Sequence, residues 1–138
     1  MTFIGDFTVI RDDVTIGENC IIGPLNVIET GAKIGNNCTL QPHCVISRNA
    51  VIEDNVFIGP HFSCANNPFI PGGEHGQSPN KRPDTEKIMF IGEATRIGTR
   101  CTVAPGVRIG HHCFIKMNCI IFKDVPPYST LEKNTVWE

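Results

Sequence analysis

The most constraining feature of this chain is a hydrophobic beat of six. Ile4, Ile10, Ile16, Ile22, Ile28, Ile34, Leu40, Ile46, Ile52 and Ile58 follow at every sixth position without a break. The beat resumes at Ile91 and runs through Ile97, Val103, Ile109, Ile115 and Ile121. No helix carries that period, because six steps of 100° rotate a side chain well off its starting face. Short strands joined by sharp bends do carry it. Three hexads make a triangular coil of about 18 residues, and coils stack about 4.8 Å apart as parallel strands. The expected fold is all-β, a parallel β-helix of about five to six coils.

Four residues after most of these aliphatics stands a smaller or β-branched side chain, such as Thr8, Val14, Cys20, Ala32, Cys38, Val56 or Cys101. Both positions of each hexad are expected to point inward and pack on their copies one coil away. Glycine follows many of the aliphatics (Gly5, Gly17, Gly23, Gly35, Gly59, Gly92, Gly98, Gly110), where it is expected to ease the backbone round the corner. Six of the seven cysteines fall in the small inward slot, and Cys64 falls where an aliphatic is due. They read as small buried hydrophobes. Cys20 with Cys38, and Cys101 with Cys119, should stack on adjacent coils, where a disulfide is sterically conceivable. Free thiols are the expectation, since no CxxC zinc spacing and no export segment is present.

The pattern lapses between Cys64 and Ile91. The chain is therefore expected to form one domain over residues 1–138. Its coils are 4–64 and 88–126, with an inserted loop at 65–87 and a tail at 127–138. The loop is rich in Pro and Gly and concentrates Asn66, Asn67, Glu74, His75, Lys81 and Arg82. An irregular excursion of that length in a compact domain is usually functional. Outside the loop, Pro24, Pro42 and Pro60 recur one coil apart and should form a ladder. His43 and His61, also one coil apart, should then stack just before the loop departs. His111 and His112 read as surface residues.

Composition removes whole classes of function. Twelve Lys and Arg against 14 Asp and Glu leave a formal charge of −2, with no basic footprint for nucleic acid. No apolar run approaches the roughly 20 residues that span a bilayer. No cationic segment followed by an apolar run opens the chain, so a cytoplasmic location is expected.

The hexads, the single excursion and the ending Lys123-Asp124-Val125-Pro126-Pro127-Tyr128 resemble the hexapeptide-repeat acyltransferases over about residues 4–128. The segment Ile52-Glu53-Asp54-Asn55-Val56-Phe57-Ile58-Gly59, with an Asn pair and Pro at the start of the loop, is similar to the N-acetyltransferases of nucleotide-linked amino sugars. That resemblance implies a left-handed coil and a homotrimer, with acetyl-CoA as co-substrate in the groove between subunits and no metal. Outward apolar residues such as Phe7, Leu25 and Phe114 suit such an assembly. It implies acetyl transfer to a UDP- or dTDP-linked amino sugar of O-antigen, capsule or lipopolysaccharide synthesis. It further implies catalytic roles for Asn66, Asn67, His61 and His75, substrate contacts from His43, Lys81, Arg82 and Glu74, and cofactor contacts from Ala104, Gly106, Lys116 and Lys123.

Two departures from the family pattern stand out. Asn67 occupies the place before Pro68 where another branch carries a basic His, and Lys116-Met117-Asn118 replaces the common Gly-Ala-Gly. The competing readings are a catalytically weak sugar-nucleotide-binding or structural β-helix and a carbonic-anhydrase-like metal-binding relative. The second needs a His-x4-His pair that His43, His61, His75, His111 and His112 do not supply.

Overall fold

The computed structural model describes residues 1–68 and 86–138. Their strands are all two residues long and wind into a three-sided, left-handed parallel β-helix of about seven turns. The first face stacks Phe3–Ile4, Ile21–Ile22, Thr39–Leu40, Phe57–Ile58, Arg96–Ile97, Phe114–Ile115 and Thr130–Leu131. The second stacks Val9–Ile10, Val27–Ile28, Val45–Ile46, Ser63–Cys64, Thr102–Val103, Ile120–Ile121 and Val136–Trp137. The third holds Thr15–Ile16, Lys33–Ile34, Val51–Ile52, Phe90–Ile91 and Arg108–Ile109. Among the described residues no helix is long and apolar enough to cross a membrane.

Register follows the beat. Ile4 pairs with Ile22 and Ile22 with Leu40, each partner standing three hexads along the chain. Ile58 pairs instead with Ile97, so more than one full turn's length of chain beyond the regular step separates these partners. The second residue of each strand points inward. Ile22, Ile28, Leu40, Ile46, Ile52, Ile58, Ile91, Ile97, Ile109, Ile115 and Ile121 are fully buried in one continuous core.

The small inward slot has more chemistry than its size suggests. At most corners leading into the first two faces it holds a donor, generally aimed at the carbonyl fifteen positions on, with Val56 and Phe62 as apolar exceptions. Thr2 Oγ1 donates to Gly17 O at 2.6 Å, Thr8 Oγ1 to Gly23 O at 2.8 Å, and Thr95 Oγ1 to Gly110 O at 2.7 Å. Cys20, Cys38, Cys44 and Cys101 point their thiols at the equivalent oxygens at 3.1–3.3 Å. The same Thr and Asn oxygens accept the next turn's backbone N–H, as Asn26 Oδ1 does from Cys44 N at 2.7 Å. At the third corner Ala32 N and Ala50 N close the turn themselves on Glu29 O and Ser47 O, and the slot is apolar. Thr and Cys are therefore chosen as donors, and the cysteines are more than small hydrophobes. All seven are buried and unbridged.

Three expectations need correction. First, the glycines that follow the aliphatics do not have positive φ. The left-handed corner residue lies two positions further on and is mostly non-glycine, for example Asp13, Asn19, Asn37, His43 and Asn55. These glycines instead allow close stacking: a Cβ on Gly92 would lie 2.5 Å from His111 N in the next turn. Second, the slot before Ser63 is filled by the fully buried Phe62 and not by a small side chain, while Cys64 takes the aliphatic's place in the column, as its position predicts. Third, 127–138 is not a tail outside the coil. Ile115 pairs with Leu131, Ile121 with Trp137, and Ile109 bridges to Val125. Each of these steps falls two positions short of a regular turn. A strict count of six from Ile121 therefore lands on Pro127 and misses Val125, Leu131 and Trp137.

Candidate functional site

The insertion leaves the solenoid at the corner between the second and third faces. The chain returns there too, with Lys87 N donating to Asn66 O at 2.6 Å. Phe62 and Met89, both fully buried, seat the two ends in the core. Directly beside this exit, on the N-terminal side, lies a groove of about 500 Å³. Arg11, Glu29, Thr30, Ser47, Arg48 and Asn66 supply its polar wall, and Val45 and Cys64 its apolar floor. Arg48 Nε lies 3.3 Å from Glu86 Oε1, and Arg11 Nε 4.0 Å from Glu29 Oε2. Cys64 Sγ lies 3.2 Å from Ser47 Oγ and receives the Ser47 N–H at 3.2 Å.

Asn66 thus stands at the mouth of a polar groove, and Asn67 follows it. His75, Glu74, Lys81 and Arg82 fall outside the described residues. His43 and His61 stack as their spacing predicts, with ring centroids 4.9 Å apart and planes 1° from parallel. They occupy the edge between the first and second faces. Ser63–Cys64 separates His61 from Asn66, and five residues of extended chain span about 16 Å. Within one protomer, then, the fold sets His61 and Asn66 on opposite edges of the second face.

The residues expected to touch a cofactor divide into two groups. Ala104 packs against the core close to the insertion, and Gly106 sits with φ +77° against Lys87. Lys116 is engaged elsewhere, donating to both Glu132 carboxylate oxygens at 2.8 and 3.0 Å. Lys123 lies over the Trp137 ring at 4.7 Å. Both lysines are therefore tied to the last turn. Burial pushes the Cys38, Cys44 and Cys101 thiols up to about 11 and raises Cys64 as well, so these four stay protonated at neutral pH. A nucleophilic cysteine finds no support here.

Two features escaped the sequence. Arg11 and Arg48 meet in one groove, although only a count in whole turns reveals that they share an edge. At the opposite corner His111, His112 and Tyr128 cluster with ring centroids 5.0–5.2 Å apart. The two imidazoles face each other Nδ1 to Nδ1 at 2.9 Å, so one nitrogen must carry the proton. A second cavity of about 480 Å³ opens beside them over Phe90 and Arg108, whose guanidinium lies 4.1 Å from the ring centroid. Among the described residues no three potential metal ligands converge.

The family model "Bacterial transferase hexapeptide (six repeats)" matches residues 1–30, 31–61 and 89–123. No curated protein matches the chain in sequence. Among solved structures, a mutant perosamine N-acetyltransferase from Caulobacter crescentus, in complex with CoA and GDP-perosamine, is similar at 19% identity and TM-score 0.75. The match covers 94% of this chain and 51% of that one. The acetyltransferase domain of PglB from Neisseria gonorrhoeae, in complex with acetyl coenzyme A, is similar at 16% identity and TM-score 0.76, over 94% and 53%. A UDP-N-acetylglucosamine acyltransferase from Francisella novicida is similar at 19% identity and TM-score 0.59, over 97% and 57%. The chain spans about half the length of these structures, and at such identities the likeness is one of fold.

Proposed function

Since the chain belongs to the bacterial transferase hexapeptide family, we propose that it is an acyltransferase that moves an acetyl group from acetyl-CoA to the amine of a nucleotide-linked amino sugar. The sugar carries UDP or dTDP in this reading, and the product serves surface polysaccharide synthesis in the cytoplasm. The carrying observation is a single long insertion that leaves an otherwise regular solenoid beside a polar groove. The Caulobacter structure, described with CoA and a nucleotide-linked amino sugar, and the Neisseria domain, described with acetyl coenzyme A, support the substrate class.

The chemistry asks little of side chains and much of placement. A neutral amine attacks the thioester carbonyl, the C–S bond breaks, and the proton lost by nitrogen ends on the departing CoA thiol. Asn66 and Asn67 orient the amine or the thioester. His61 or His75 takes the proton directly or through water, and backbone N–H groups serve the developing oxyanion. His43, Glu74, Lys81 and Arg82 hold the nucleotide sugar, while Ala104, Gly106, Lys116 and Lys123 line the CoA path.

The separation of His61 from Asn66 supports a site shared between subunits of a homotrimer. The edge that carries the histidines is flanked by exposed apolar side chains: Phe3, Phe7, Ile21, Leu25 and Phe57. Such a surface suits burial against a second copy. A thiol-release assay with acetyl-CoA and a panel of nucleotide-linked amino sugars tests the proposal. Release with at least one amine is expected; no release with any amine, together with no CoA binding, overturns it. Sugar-nucleotide binding without release favours the non-catalytic reading, to which the Lys116–Glu132 pair and Met117 in place of small residues lend support.

A further inference from the structure

The groove beside the insertion holds charge that the roles above leave unused. Its polar wall climbs four successive turns: Arg11 in the first, Glu29 and Thr30 in the second, Ser47 and Arg48 in the third, Asn66 in the fourth. Turns about 4.8 Å apart give it a length of about 14 Å, with the two guanidinium groups two turns apart. Each arginine meets its carboxylate through Nε, at the root of the guanidinium. The outer pair of nitrogens is the part that grips a phosphate in two places. All four charged side chains are about a third exposed or more, so these ion pairs are weakly held and an incoming anion can replace them. Thr30 brings a hydroxyl to the same wall and Asn66 an amide, while the buried Ser47 hydroxyl is engaged by Cys64 Sγ.

The geometry points to this groove as a binding site for a diphosphate, with Arg48 and Arg11 as its cationic contacts. Two guanidinium groups match the two negative charges of a diphosphate diester. The Thr30 hydroxyl between them suits one of its oxygens. CoA and a nucleotide-linked sugar both carry this group. The choice between them rests on the transfer reading above, while the site itself rests on the groove.

Binding of ADP, UDP and CoA to the full chain, measured by calorimetry with adenosine and uridine as uncharged controls, tests the assignment. Diphosphates are expected to bind more tightly than the nucleosides. Arg48→Gln and Arg11→Gln should each weaken the diphosphates by about tenfold while leaving nucleoside binding and thermal unfolding unchanged. Glu29→Gln, which removes the competitor of Arg11, should strengthen binding severalfold; a purely structural Arg11–Glu29 pair gives no gain. Whichever of CoA and UDP responds more strongly to Arg48→Gln is the natural occupant. The assignment is overturned if wild type binds none of the three, or if both arginine variants bind all three as wild type does. Arginine-dependent diphosphate binding without acetyl transfer to any amine leaves the groove standing and removes the transfer reading. Acetyl transfer with unchanged KM for both substrates in both arginine variants does the reverse.

Discussion

Thr95→Val is the sharpest test of what the inward slots are for. Valine has the shape of threonine, and Val56 already occupies the same column one turn earlier, so the change creates neither a cavity nor a clash. It does remove two hydrogen bonds: Thr95 Oγ1 donates to Gly110 O at 2.7 Å and accepts from Cys113 N at 3.1 Å. Thr95 is fully buried, so water does not replace Oγ1 as acceptor for the buried Cys113 N–H, while the half-buried Gly110 carbonyl keeps access to water. Leaving the buried N–H unpaired costs about 1–3 kcal/mol, and the carbonyl adds less. Thr95→Ser keeps both bonds and gives up one buried methyl, a loss of about 1 kcal/mol. Urea denaturation at one fixed protein concentration reads the difference, with m unchanged and the midpoint lowered more by Val than by Ser. If Val unfolds within about 0.5 kcal/mol of wild type, or Ser is the worse of the two, the slot is simple filler and the donor argument is wrong.

Gly92→Ala should destabilise by about 1–3 kcal/mol or more, because its Cβ would lie 2.5 Å from the His111 backbone; calorimetric melting detects it, and an unchanged Tm contradicts the close-stacking role. Truncation after Pro126 strips the cover from Ile115 and Ile121, so the shortened chain should unfold well below the full one in guanidinium; equal midpoints would restore 127–138 to a dispensable tail. Stability should be independent of thiol ionisation below pH 9 and fall as the pH rises from 9 towards 11. In that window thiols ionise at their ordinary value of 9.0 in the unfolded chain, while burial holds Cys38, Cys44 and Cys101 neutral until about 11. Denaturation midpoints across pH 7–11 check this. A thiol reagent at pH 7.5 should label the native protein far more slowly than the denatured protein, in which all seven cysteines react.

The fold was legible because its core repeats in sequence as it repeats in space. A side chain that stacks on a copy of itself leaves a period, and Ile22, Leu40 and Ile58 sit where counting puts them. The same logic placed His43 over His61. The count failed where the period itself changed. A shortened last turn shifts the phase by two, and Leu131 and Trp137 become invisible to a strict beat of six. The slot residues were legible as small but not as donors, since their partner is a carbonyl fifteen positions away that any residue can supply.

The site obeys a different rule, and that is why less of it could be read. Function on a solenoid lies on its edges, where a column is revisited only once per turn and no repetition advertises it. Asn66 draws attention because the insertion breaks the beat beside it. Arg11 and Arg48 break nothing; they join one groove only because they lie 37 positions apart, one residue past two full turns, on the edge from which the insertion leaves. His61 and Asn66 show the limit in the other direction. They are close in sequence yet stand on opposite edges of a face, because the two strand residues between them run straight across it. Proximity along this chain therefore predicts separation, and proximity at multiples of a turn predicts contact. A catalytic pairing of His61 with Asn66 consequently requires the edge of one copy to meet the opposite edge of another. A dilution series that separates the assembly should abolish transfer while leaving the solenoid folded, and activity retained by a monomer would remove His61 from the reaction.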